Sequence, residues 1–183
     1  MSVPAQLTII NGVITDCINK STATYAEIPS GVTSIGGGAF YGCSKLTSIT
    51  LPSSLTSIGG GNNTGGVFQG CTGLKSITVP SSLTTIGNQA FYECTILKSI
   101  SIPAVTSIGN QAFYGCTALT SITIPAVTSI GNQAFYGCTK LQVTFTNAKN
   151  LTQIGTDIFT DTSYFLTWSV DLLLLIKNGA KLI

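Results

Sequence analysis

AVTSIGNQAFYGCT at residues 104–117 recurs without one substitution at residues 126–139, 22 positions later. An enzyme assembles its site from unlike residues scattered along the chain, so a verbatim repeat points instead to equal structural units stacked side by side. The Ile-Gly pair inside the repeat is found at Ile35-Gly36, Ile58-Gly59, Ile86-Gly87, Ile108-Gly109, Ile130-Gly131 and Ile154-Gly155. A phenylalanine follows each pair: Phe40, Phe68, Phe91, Phe113, Phe135 and Phe159, at intervals of 28, 23, 22, 22 and 24 residues. The underlying period is 22–23 residues, and the single long interval comes from an insertion, GGGNNTGG at 59–66.

Three residues beyond each of the first five phenylalanines stands a cysteine, Cys43, Cys71, Cys94, Cys116 and Cys138. Three residues further stands a leucine, Leu46, Leu74, Leu97, Leu119 and Leu141. The next residues read TSITLP, KSITVP, KSISIP and TSITIP in the first four turns. Apolar residues alternating with Ser or Thr before a proline predict a short strand with one buried face, ended by a residue that cannot donate to the ladder. A repeat of this length cannot bury its own apolar face, so neighbours must stack and share a core, which makes a solenoid. The phrase AVTSIG is expected to return along the other side of the coil. NQAFYGC is expected to form a short helical or 3₁₀ turn, and the glycine after isoleucine to permit a tight bend. The expected fold is a solenoid of about five to six turns, mostly β, with hairpin-like caps.

The recurring pattern IPxxVTSIGxxAFYGCTxLTSITIP resembles the BspA-like class of leucine-rich repeat, found in bacterial and protozoan surface proteins, over about positions 28–159. The resemblance implies a leucine-rich-repeat solenoid that binds a protein or extracellular matrix ligand, with cell adhesion as the type of activity and an extracellular or cell-surface location.

Three regions follow: an N-terminal cap at 1–27, the solenoid at 28–159, and a C-terminal cap or assembly segment at 160–183. Asn11-Gly12 and Asn178-Gly179 each lie between apolar segments, the strongest short signal for a hairpin. The last region carries Tyr164, Phe165, Trp168, Leu172, Leu174 and Ile176. If these do not fully cover the last turn, they offer an apolar patch for assembly. The alternative to a binding module is therefore a structural protein that self-assembles head to tail into filaments, since a solenoid has two open ends and such a contact does not close.

Charged residues make up 8% of the chain, against roughly 25% in an ordinary soluble domain. Eight lysines face six acids for a net charge of +2, with no arginine and no histidine, so a nucleic-acid partner is not expected. The longest strongly apolar run, LLLLI at 172–176, falls far short of the roughly 20 residues that span a bilayer, and membrane insertion is not expected. The opening MSVPAQLTIING lacks the charged and apolar regions of a secretory signal. Six cysteines without a CxxC or a histidine are expected as small, reduced core residues rather than metal ligands. A nucleophile needs an adjacent base, and without histidine neither catalytic residues nor a cofactor are expected. The Gly-rich insertion lacks the Lys-Ser/Thr of a phosphate loop, and its Asn62, Asn63 and Thr64 are expected as a contact loop. In the strands, inward Ile and Leu put Ser48, Thr50, Ser76, Thr78, Ser99, Ser101, Ser121 and Thr123 outward. With the flanking Lys75 and Lys98 they form the candidate binding face. Tyr41, Tyr92, Tyr114 and Tyr136 follow the repeat phenylalanines and are expected half exposed at the rim.

Overall fold

The Ser-Ile-Thr and Thr-Ser-Ile-Gly phrases each lay down a short strand, two per coil, and a computed structural model describes the result for residues 1–59, 65–145 and 150–162. Strands at the Ile-Gly phrase are β2 (Val13–Cys17), β4 (Ser34–Ile35), β6 (Ser57–Ile58), β8 (Thr85–Ile86), β10 (Ser107–Ile108), β12 (Ser129–Ile130) and β14 (Gln153–Ile154). They pair in parallel with the isoleucines in register, for example Ile86 with Ile108 and Ile108 with Ile130. With β1 (Leu7–Ile10) at its edge, this row is an eight-stranded sheet. The second strand of each coil gives β3 (Tyr25–Glu27), β5 (Ser48–Thr50), β7 (Ser76–Thr78), β9 (Ser99–Ser101), β11 (Ser121–Ile124) and β13 (Gln142–Phe145). The fold is a β-solenoid of about six turns, as the repeat predicts.

The core is a set of columns with one residue per coil. Phe40, Phe68, Phe91, Phe113, Phe135 and Phe159 stack with ring centroids 5.2–5.6 Å apart, little more than the ~4.7–4.9 Å between neighbouring strands. The column reaches Phe159 although TDTSYF replaces YGC after it. Columns of leucine, isoleucine and cysteine run beside the rings, and no polar side chain among the described residues is buried with them. Cys17 stands at the head of the cysteine column, because β2 already pairs in parallel with β4. The predicted N-terminal hairpin forms: β1 and β2 are antiparallel around Asn11 and Gly12, whose φ values of 50° and 75° suit a type I′ turn. The expected C-terminal hairpin at Asn178-Gly179 lies outside the described residues. Among the described residues, no helix is long and apolar enough to cross a membrane.

Two local expectations are corrected. NQAFYGC is not helical. Residues two before and two after the phenylalanine take left-handed backbone, as at Gln111 (φ 55°) and Gly115 (φ 69°) or Gln133 (φ 55°) and Gly137 (φ 70°), and a left-handed residue every fourth position ends any right-handed helix. The segment instead closes successive turns, with Cys94 N–H donating to Phe91 O at 3.1 Å. Alternate amides reach the next coil: Phe91 N–H to Ala112 O at 2.8 Å and Glu93 N–H to Tyr114 O at 2.7 Å. The Ile-Gly glycine, for its part, has no positive φ. It is needed for space, since a Cβ at Gly109, Gly131 or Gly155 would lie 2.6, 2.4 or 2.3 Å from the backbone nitrogen of Asn88, Asn110 or Asn132 in the coil before.

Candidate functional site

The candidate face is built by strand alternation. Ser48, Thr50, Lys75, Ser76, Thr78, Lys98, Ser99, Ser101, Ser121 and Thr123 are all exposed, while Ile77, Ile100 and Ile122 between them are buried. Register places Ser76 opposite Ser99, Thr78 opposite Ser101, and Ser99 opposite Ser121, so the hydroxyls run in rows along the solenoid. Thr144 on β13 extends the row of Thr123. Lys75 and Lys98 sit side by side where their strands begin, with Lys98 N–H donating to Lys75 O at 2.8 Å. The ion pair found among the described residues, Lys20 with Asp16 at 2.8 Å, lies away from this face.

The rows are interrupted where the sequence predicts them continuous. β13, β11, β9 and β7 form one sheet and β3 with β5 another, so Ser48 and Thr50 are not joined to Ser76 and Thr78. Thr47 N–H donates to Thr24 O at 2.8 Å, and Thr120 N–H to Lys98 O at 3.2 Å, but no such bond links Lys75 to Thr47. Gly73 lies beside the break. A Cβ there would lie 2.6 Å from Ser44 O and 2.9 Å from Leu46 O, so the chain leading into β7 is drawn tightly onto the coil before it. The strands beyond stand apart, and a crevice of about 390 Å³ opens between them. In the other coils Lys45, Ile96, Ala118 and Lys140 hold the position of Gly73. That substitution and the nearby insertion are the sequence signals of the break, and both precede it in the same coil.

The opposite side carries an order that strand reading overlooks. Thr33, Thr56, Thr84, Thr106, Thr128 and Thr152 stand two residues before every Ile-Gly isoleucine. Thr128 Oγ1 donates to Thr106 O at 3.1 Å and Thr152 Oγ1 to Thr128 O at 3.2 Å. The strict threonine was its legible signal. Beside this column, Asn88, Asn110 and Asn132 accept the N–H of the next coil's Asn110, Asn132 and Thr156 at 2.8–2.9 Å. Gln89, Gln111 and Gln133 link side chain to side chain at 3.0 and 2.9 Å. These amides tie coil to coil, the same role as the backbone ladders.

Tyr92, Tyr114 and Tyr136 are half-buried and stack at 4.8 and 4.9 Å. Tyr41 is 49% exposed and stands outside that stack. A hydrogen bond with Asp161 pushes the Tyr136 phenol above its usual range. The six cysteines are buried as expected. Cys71, Cys94, Cys116 and Cys138 donate their thiols to the carbonyls of Phe40, Phe68, Phe91 and Phe113 at 3.0–3.2 Å. Burial holds the Cys94 thiol at about 12 and Cys17 at about 11, the latter also beside Cys43. Such thiols are poor nucleophiles and poor metal ligands at neutral pH. The contact loop Asn62, Asn63 and Thr64 lies outside the described residues, as does the assembly segment Tyr164, Phe165, Trp168, Leu172, Leu174 and Ile176.

A sequence profile described as a BspA type leucine rich repeat region, in six copies, matches residues 13–62 and 64–167. Three solved structures share the architecture. A leucine-rich repeat protein of T. pallidum is 26% identical with a TM-score of 0.77, over 99% of this chain and 97% of that one. A leucine-rich repeat protein from Bacteroides ovatus is 28% identical with a TM-score of 0.59, over 88% of this chain and 45% of its own. One from Eubacterium ventriosum, at 24% identity and a TM-score of 0.63 over 87% and 49% of the two chains, shares the fold. No curated protein matches the chain in sequence.

Proposed function

The chain belongs to the BspA-type leucine-rich repeat family, and from that premise we propose a non-catalytic, adhesion-type module that binds a protein or extracellular matrix partner at the cell surface. Leucine-rich repeats in general mediate protein binding, and the candidate surface here is the strand face. The observation that carries the reading is the register of that face. Eight exposed Ser, Thr and Lys side chains lie in rows along β7, β9 and β11, with Ser48 and Thr50 across the crevice from them. The short Ser and Thr side chains of that surface lose little rotamer freedom when a partner docks. Replacing Ser76, Thr78, Ser99 and Ser101 with glutamate is expected to abolish binding to immobilised matrix proteins while the circular dichroism spectrum stays unchanged. Undiminished binding by a folded variant rejects this face.

Self-assembly, the second reading, is favoured by the open edge of β1, where Ile9 is 40% exposed and Ile10 55%, with Ile18 at 68% nearby. An apolar edge strand without lysine or proline invites pairing with another chain. Light scattering and electron microscopy decide it: Ile9→Lys with Ile10→Lys should dissolve any filament, and a chain that stays monomeric at high concentration rejects assembly.

A further inference from the structure

The break in the strand face has the chemistry of an anchor pocket. Its volume of about 390 Å³ is within the range of roughly 300–1,000 Å³ in which proteins hold ligands. Thr47, Ser48, Ile49, Thr50 and Leu51 form one wall, and residues 76–80 the other. Ile49 and Leu51 are only partly buried, whereas their counterparts Ile77 and Val79, Ile100 and Ile102, and Ile122 and Ile124 are between 1% and 6% exposed. The crevice thus uncovers an apolar floor that the coils of β7, β9 and β11 close.

Among the described residues β5 pairs with β3 and β7 with β9, and the facing edges of the two walls have no strand partner there. An apolar floor rimmed by hydroxyls matches a polypeptide, which supplies an apolar side chain and hydrogen-bonding main-chain groups at once. The described lining of the crevice is apolar and hydroxyl-bearing. Width then decides what part of a polypeptide enters. β5 and β7 still approach within 8 Å, Cα to Cα, while a strand laid between them needs roughly 9.4–9.8 Å. A side chain fits where a strand does not.

We propose that the crevice between β5 and β7 is the anchor pocket of the strand face, taking one apolar side chain from an extended segment of a protein partner. The inference rests on the reading of that face as a binding surface and adds its focal point. The flanking hydroxyls of Ser48, Thr50, Ser76 and Thr78 take the partner's main chain, and Ile49 and Leu51 take the side chain.

The test selects a random library of linear peptides on the full chain. Recovered peptides should share one apolar residue among strand-forming neighbours and shift the amide resonances of residues 47–51 and 76–79. Ile49→Trp and Leu51→Trp, which fill the pocket, should weaken a selected peptide about tenfold or more, as loss of an anchor does. Gln153→Trp on β14, in the opposite sheet, should change affinity by no more than about twofold, while Thr123→Trp on β11 probes the face beyond the pocket. Thr50→Trp on the exposed rim serves if the filled variants do not fold. Failure to recover any peptide, peptides without an apolar anchor, or affinity indifferent to all three pocket variants overturns the anchor. Peptides lost on Thr123→Trp but kept by the pocket variants overturn the anchor and leave the face reading standing.

Discussion

At the scale of single residues, close approach rather than chain reversal explains the recurring Ile-Gly. Gly131→Ala puts a methyl group 2.4 Å from Asn110 N, and the displacement should cost about 1–3 kcal/mol in urea unfolding. A cost near zero would mean the coils part easily at that point. The sequence displays the glycine in every coil but not its reason, because a period along one chain says nothing about which atom of the next coil lies against it. The phenylalanine column was legible for the opposite cause: an apolar residue that recurs at the coil period must be core wherever the coils meet. Gly73 shows the limit again. A lone departure from Lys, Ile and Ala at its position reads as neutral variation until Ser44 O and Leu46 O are seen against it.

At the scale of the elements, the cysteine column makes the stack sensitive to alkali. The Cys94 thiol rises from an ordinary 9.0 to about 12 because burial disfavours its thiolate. In the unfolded chain the same thiol ionises near 9, so between pH 9 and 12 the folded state holds more protons than the unfolded one. Stability from this group is complete below pH 9 and falls as pH rises, by about 1.4 kcal/mol per pH unit for each such thiol. The urea midpoint should stay level from pH 6 to 8 and drop above 9, with Cys94→Ser making the drop shallower by one thiol's share. A midpoint unchanged to pH 11 would place the thiols in water. Strand positions and burial were legible here, since alternation and period fix them. The helical expectation for NQAFYGC failed because left-handed Gln111, Gln133 and Glu93 are held by bonds to the next coil, and no local propensity announces them.

At the scale of the whole molecule, one side is continuous and the other is not. The eight-stranded sheet and the phenylalanine column run past the crevice, while the strand face stops at it. Opening there should be local: amides on the facing edges of β5 and β7 should exchange hydrogen about tenfold or more faster than those of β9, within an otherwise common slow core. Equal protection across both would mean the strands close up in solution. The candidate face was readable in its residues and not in its division, because the sequence gives each coil its own strand but not the lean of one coil on the next. The twin coils carry a different consequence. Residues 104–117 and 126–139 are identical, and Phe113 meets Phe91 and Phe135 at 5.3 and 5.2 Å. A further copy of residues 104–125 spliced in after position 125 would therefore meet, over the shared fourteen residues, only neighbours already present. The length of the array is thus an adjustable quantity, open to change by gene duplication without redesign of either end.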